Sequence, residues 1–315
     1  MRGSIRASHL AAAQGPGRLC LRRRLLGDWF CEADQGFIFA FRGVGKTWFG
    51  LGLARALAEG GTFGPWKAHE KVKVLYVDGE MPADLMRSRD NGLEQNPGEI
   101  EFLNHEILFD RTGKVLNITN PEVQAAITAQ CIQSEVKVLV LDNLSTLACG
   151  MKENDADSWE MVNNWLLDFR RRKIAVIIIH HAGRNGEMRG TTKREDAAFW
   201  VIALDDAKKH AEDKNGARFI SRFTKPSRNT PEEIPPFEWS IQTNTTSGEI
   251  TVAHKLAQSL DLFRKVIEEG VTDCSDLAEE LHVSKGTISK WAKRAINAGW
   301  LKKEGRGYAF TEPGG

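Results

Sequence analysis

From position 40 to 47 the chain reads Ala40-Phe41-Arg42-Gly43-Val44-Gly45-Lys46-Thr47. These residue types at this spacing are suited to holding phosphate. Glycine at 43 and 45 lets successive backbone N–H groups curl around anionic oxygens, and a helix opening at Lys46 adds the partial positive charge of its N-terminus. Lys46 then reaches the terminal phosphates, and the Thr47 hydroxyl is a ligand for Mg²⁺. Arg42, Gly43, Val44, Gly45, Lys46, Thr47 and Trp48 are the expected nucleotide-binding segment. The pattern Gly-x-x-x-x-Gly-Lys-Thr departs at its first position, which is Ala40. The loop is not yet wrapping phosphate there, so a methyl group fits unless the backbone needs a positive φ.

Two carboxylates complete the chemistry. Val138-Leu139-Val140-Leu141-Asp142 is an apolar run that ends in an acid, the way a buried parallel strand presents a metal-shell aspartate. In Tyr76-Val77-Asp78-Gly79-Glu80-Met81-Pro82 an acid lies just past a strand, and Glu80 is placed to orient an attacking water as general base. Asp-Gly-Glu alone is an ordinary turn; its place in the strand series is what singles out Glu80.

Arg42–Trp48, Val77–Pro82, Leu141–Leu147 and His180-His181-Ala182-Gly183 together resemble the RecA-like ATPases of the plasmid RepA hexameric helicase type, over about residues 28 to 240. The resemblance implies a ring, usually of six subunits, with ATP and Mg²⁺ between neighbours and single-stranded DNA in a central channel. It makes Glu80 the catalytic glutamate and Asp142 the metal-shell residue. One of His180 and His181 becomes the γ-phosphate sensor, with His181 favoured. Lys225-Pro226-Ser227-Arg228-Asn229 resembles the finger segment of the DnaB-like relatives with one extra residue, so Lys225 and Arg228 are read either as cations supplied to a neighbour or as solvated loop charges. Related ATPases act as recombinases and regulators, so a nucleotide-switched DNA-binding regulator and a recombination mediator stay open beside a helicase of a plasmid or mobile element.

The elements that must hold these residues alternate short β-branched runs with helical stretches from about Asp28 to Ser247, the signature of an α/β fold with a parallel sheet. Strands are expected at 36–40, 72–78, 136–142 and 173–180, and helices at 48–58, 122–133 and 158–172. Less sharply marked strands, at 219–223 and within 237–252, are expected to run antiparallel at one edge. Two polar loops beyond strand ends are expected to line a DNA channel, with Lys152 in the first and Arg184, Arg189 and Lys193 in the second; Arg194 is a weaker member.

A boundary is placed after residue 247. The remainder reads as a winged helix-turn-helix: a helix at 276–281, a turn, a helix at 285–295 and a hairpin at 299–310. Leu277, Ala278, Leu281, Val283, Ile288 and Trp291 are its expected core. Lys285, Lys290, Lys293 and Arg294 give the second helix a basic character suited to duplex DNA, and the same fold also serves protein contacts. Residues 1–27 form a basic extension.

Composition bounds all of this. The 315 residues are 41% hydrophobic and 27% charged with a formal net charge of +1, which excludes collagen-like, coiled-coil and wholly disordered chains and announces no polyanionic partner. No apolar run approaches the roughly 20 residues of a membrane span. Five scattered cysteines with no Cys-x-x-Cys pair argue against a disulfide framework or zinc site and for a reducing, cytoplasmic setting.

Overall fold

The computed structural model describes residues 22–311 except 97, 151–155, 184–185, 187, 189–191, 208–215, 233, 245, 258 and 282. In chain order its elements are β1 (Arg24–Leu26), β2 (Phe30–Cys31), β3 (Gln35–Ala40), α1 (Lys46–Glu59), β4 (Thr62–Phe63), β5 (Trp66–Lys67), β6 (Val74–Asp78), α2 (Ala83–Leu93), β7 (Ile100–Asn104), α3 (His105–Thr112), α4 (Pro121–Gln133), β8 (Val138–Asp142), α5 (Leu144–Leu147), α6 (Ala156–Arg171) and β9 (Ala175–His181). There follow α7 (Thr192–Ala197), β10 (Trp200–Asp206), β11 (Ala217–Lys225), β12 (Phe237–Thr243), β13 (Ile250–Leu256), α8 (Ser259–Glu268), α9 (Cys274–Glu280), α10 (Lys285–Asn297), β14 (Leu301–Glu304) and β15 (Gly307–Phe310).

One sheet of nine strands, in the order β13-β12-β11-β10-β3-β9-β8-β6-β7, organises the chain. The stretch from β10 to β7 is parallel throughout, and β11, β12 and β13 continue it as antiparallel neighbours. The central strands are buried along their whole length because helices cover both faces, so their side chains are apolar except near the strand ends. On one face α1 packs with an aromatic group that includes Phe49, Phe63, Trp66, Phe219 and Trp239. On the other, Trp159, Val162, Leu166 and Phe169 of α6 and Ile127 and Cys131 of α4 form a second layer.

The expected strands and helices are present within a few residues of their predicted ends, and the late strands do run antiparallel at the edge. The sheet also contains two strands the sequence reading did not assign, β7 and β10. Its outermost strand, β13, lies past residue 247 and pairs with β12 from Phe237↔Leu256 to Thr243↔Ile250, so the sheet continues beyond the expected boundary. At the other end β1 lies inside the expected extension and pairs with β2.

Residues 259–311 have a core of their own. Phe263, Val266, Leu277, Leu281, Ile288, Ala292, Leu301 and Tyr308 are buried together, and the β14–β15 hairpin packs on three helices. Asp273 caps α9 through the Ser275 amide, and Ser284 caps α10 through the Thr287 amide. Every residue expected in this core lies in it or against it.

Tight packing at the sheet centre yields a direct test. A Cβ on Gly36 of β3 comes within 2.2 Å of the Trp200 ring on β10, and Trp200 is fully buried. Gly36→Ala should therefore cost about 1–3 kcal/mol in equilibrium denaturation, the usual range for overpacking a filled core. A wild-type midpoint in that variant contradicts this packing.

Candidate nucleotide site

Strand register brings the chemistry together. Asp78 at the end of β6 is the register partner of Asp142 at the end of β8, and Ala40 at the end of β3 is the partner of His181 at the end of β9. Four chain segments distant in sequence thus end at the carboxyl end of a parallel sheet, where open α/β folds bind ligands, with β3 and β9 running two residues past the level of β6 and β8. A cleft of about 450 Å³ opens there, lined by Arg42, Gly43, Gly45, Lys46, Thr47, Trp48, Glu80, Asp142 and His181 among others.

The loop after β3 needs its glycines. Gly43 has φ 79° and Gly45 φ 128°, backbone conformations that side chains rarely adopt, and a Cβ at Gly45 lies 2.8 Å from the Phe219 ring. Ala40 is not among the positive-φ residues; it completes β3, so a methyl is accommodated as expected. Val44 differs from its loop neighbours. Its side chain is buried in the core, so it can offer a ligand only its backbone.

Lys46, at the start of α1, is 7% exposed and donates to the carbonyls of Ala40 at 3.1 Å and Phe41 at 2.9 Å. Burial pulls its ammonium down to about 8 despite the opposing pull of Asp142 and Glu80. Asp142 is fully enclosed. Desolvation pushes its carboxyl up to about 6, although Tyr76 donates to it at 2.8 Å and the Thr47 hydroxyl also bonds to it. A hydroxyl beside one carboxylate is the donor set that Mg²⁺ takes when phosphate oxygens and waters supply the rest, and the described residues hold no cluster of acids or histidines that would bind a metal by themselves.

Asp78 and Glu80 divide their labour. Asp78 is buried and accepts from the Glu80 and Met81 amides at 3.2 Å and from the Asn104 side chain at 2.8 Å; burial raises it to about 6. It builds the turn. Glu80 projects from that turn with its side chain half exposed, accepting from the Asn143 side-chain Nδ2 and 3.9 Å from His181 Nε2. The two histidines point apart, as neighbours on a strand must. His181 faces the cleft, while His180 lies 2.9 Å from Arg194 Nη1 and 3.4 Å from Ser145 Oγ.

Other expected site residues lie elsewhere. Lys225 is level with Val201, which is level with Phe37, three residues before the end of β3 and so about 10 Å back along the sheet. Its ammonium bonds to the Glu195 carbonyl, and Arg228 donates to the Asp196 carbonyl at 2.9 Å; neither lines the cleft. Arg194 is fully buried over the Trp159 ring at 4.9 Å, so it is not an exposed channel cation. Lys152, Arg184, Arg189 and the side chain of Lys193 lie outside the described residues. Lys285, Lys290, Lys293 and Arg294 are all exposed on α10, turned from the buried Ile288, Ala292 and Ala295.

Sequence reasoning missed Arg89 and did not separate out Tyr76, Asn104 and Asn143. Arg89 of α2 lines the cleft with its guanidinium 4.4 Å over the Trp48 ring, and burial pushes it below its ordinary value. Its Nε is buried without a hydrogen-bond partner among the described residues, which suits a site completed by an anion. A lone arginine within Arg87-Ser88-Arg89 carries no local signal of this; only the fold brings it to the cleft.

Two outcomes follow from the buried charges. Raising Asp142 from 3.8 to about 6 means that the native state favours the protonated acid, so its penalty grows as pH rises through that window and reaches roughly 3 kcal/mol at neutral pH. Asp142→Asn should therefore melt a few degrees above wild type at pH 7.5 and at the same temperature near pH 4; a lower midpoint at pH 7.5 contradicts the assignment. Lys46, depressed to about 8, regains its ordinary basicity against phosphate, so nucleotide binding at pH 8.5 to 9 should take up protons. Calorimetry in buffers of different ionisation enthalpy reads that uptake, and its absence argues that phosphate does not meet Lys46.

Residues 4–187 match the AAA domain family. No curated protein matches the chain. Among solved structures, the chain is similar to a KaiC-like protein from the hyperthermophilic archaeon Pyrococcus horikoshii OT3, at 17% identity and a TM-score of 0.46 over 71% of this chain and 90% of that one. It is also similar to the flagellar accessory protein FlaH from Methanocaldococcus jannaschii, at 13% identity and a TM-score of 0.46 over 72% and 91%. The family match spans more than half the chain and contains the phosphate loop, Glu80, Asp142 and His181. With a parallel-dominated sheet presenting them at its carboxyl edge, the chain belongs to the AAA domain family and has a RecA-like P-loop ATPase core.

Proposed function

We propose that this chain hydrolyses ATP in the cleft at the carboxyl edge of the sheet and spends the energy on DNA, as a ring-forming replicative helicase of a plasmid or mobile element. The observation that carries the reading is the convergence of Lys46, Thr47, Asp142, Glu80 and His181 on one cleft from four separate strand ends. Lys46 and the N–H groups of residues 43–47 hold the phosphates. Thr47 and Asp142 hold Mg²⁺, which when bound neutralises charge on the transferred phosphoryl group. Glu80, kept in place by Asn143, orients the attacking water. His181, beside Glu80, is placed to report the state of the terminal phosphate.

Arg228 and Lys225 belong to this reading as cations delivered to a second copy, and their distance from their own cleft supports it. A homo-hexamer with single-stranded DNA in its channel is the assembly we propose. Residues 259–311 act as a winged helix that binds duplex DNA or a replication partner through the exposed cations of α10. That same basic face, on a unit with its own core, favours one alternative: a DNA-binding regulator in which nucleotide controls assembly.

ATP turnover should rise severalfold with single-stranded DNA, and the protein should displace a labelled strand from a forked duplex. Turnover without displacement, under conditions where rings form, leaves the regulator. Glu80→Gln should lower turnover by about 10²–10⁴-fold while nucleotide affinity stays within a factor of a few; unchanged turnover removes Glu80 from the reaction.

A further inference from the structure

Phe199, immediately before β10, is 6% exposed, and much of what covers it is charge. Three guanidinium groups lie over its ring, Arg22 at 4.4 Å from the ring centre, Arg170 at 4.7 Å and Arg228 at 5.6 Å. They come from three separate parts of the chain: the segment before β1, the last turn of α6 and the loop after β11. Each such contact is worth about 0.5–1 kcal/mol at an exposed site, and gathering like charges works against it.

The surrounding acids do not balance the cluster. Arg22 pairs with the buried Asp34 and also donates to the Glu32 carbonyl and to Asn229, so part of its N–H edge is already taken. Arg170 and Arg228 have no carboxylate partner among the described residues, and Lys225 adds a fourth cation beside Arg228. Glu195 and Asp196 are the other acids that act on Lys225, and their bonds to Lys225 and Arg228 are made by backbone carbonyls. Arg170, with its guanidinium face on the ring, keeps its N–H edge for an acceptor, and Arg228 has given only Nη2, to the Asp196 carbonyl.

The three arginines are gathered around one side chain. That arrangement fits an anion that concentrates several charges in a short length, which is the chemistry of a polyphosphate chain; a nucleic-acid strand spreads its phosphates along a track. The Phe199 amide bonds to the Gln35 carbonyl at the start of β3, which places the cluster at the end of the sheet opposite the phosphate loop.

We propose that Arg22, Arg170 and Arg228 around Phe199 form a second phosphate site, separate from the cleft, that takes a polyphosphate chain. Two sources can supply it. One is polyphosphate or nucleotide free in solution. The other is nucleotide held in the cleft of a second copy, and this source alone rests on the assembly proposed above.

Inorganic tripolyphosphate, titrated calorimetrically into the Lys46→Ala protein, tests the first source. One site should remain, and adding Arg22→Gln and Arg170→Gln should weaken it by about tenfold or more. Arg170→Gln alone breaks no ion pair among the described residues, so it should weaken the site while the melting temperature stays unchanged, which separates binding from folding.

For the second source, the Arg22→Gln, Arg170→Gln protein is assayed for ATP turnover alone and after mixing with Lys46→Ala protein, which still carries all three arginines. A fall in turnover that mixing restores assigns the site to a second copy's nucleotide. Either positive result supports the site. Absence of tripolyphosphate binding, together with wild-type turnover or with a loss that mixing does not restore, overturns it. A wild-type protein with no ATP turnover fails the reading of the cleft, while the calorimetric arm still decides this one.

Discussion

Two opposite charges taken out of water at the same sheet edge, the Lys46 ammonium and the Asp142 carboxylate, set the terms for the rest of the structure. Neither is comfortable there: burial lowers Lys46 to about 8 and raises Asp142 to about 6. The chain answers each locally, with the Ala40 and Phe41 carbonyls for the lysine and the Tyr76 and Thr47 hydroxyls for the aspartate. Those partners hold the groups without neutralising them. A bound anion and a cation would relieve both, which is why the strain is placed where ligands enter.

The carboxylates nearby show how environment assigns roles. Asp78 and Glu80 are two residues apart, yet Asp78 is enclosed by the Glu80 and Met81 amides and Asn104, while Glu80 stands half in solvent. Asp78 is therefore committed to shaping the turn, and Glu80 keeps the freedom to meet a water. Asn143 has a comparable double task, capping α5 through the Thr146 amide and holding Glu80. The placement of the candidate base thus depends on a helix cap at the neighbouring strand's exit.

How much of this could be read beforehand depended on how local each signal was. The phosphate loop, Asp142 and the strands β3, β6, β8 and β9 announce themselves because buried parallel strands are continuous apolar runs and the loop's chemistry is contiguous. The edge strand β13 is marked less sharply, since most of its residues are exposed and its sequence, Ile-Thr-Val-Ala-His-Lys-Leu, lacks a buried alternation, so only its first three residues fell within the expected late strands. Arg194 looked like a loop cation because charge suggests solvent, yet the fold buries it against His180 and Trp159. Arg89 and the cluster around Phe199 could not be seen at all. Their meaning depends on residues far apart in sequence meeting in space.

The same reasoning accounts for the near-neutral total. A net charge of +1 suggested no charged partner, but the charges are concentrated at particular places. Asp78, Glu80 and Asp142 meet Arg42, Lys46 and Arg89 at the cleft, further cations gather around Phe199 at the opposite end, and α10 carries a basic face of its own. Placement of this kind needs a rigid frame, because in a strand one residue of slippage exchanges the two faces. β9 shows the consequence: locked between β3 and β8, it sends His181 to the cleft and His180 to Arg194, and a shift by one would exchange them. The sheet's register, more than any single residue, therefore decides which charges meet phosphate.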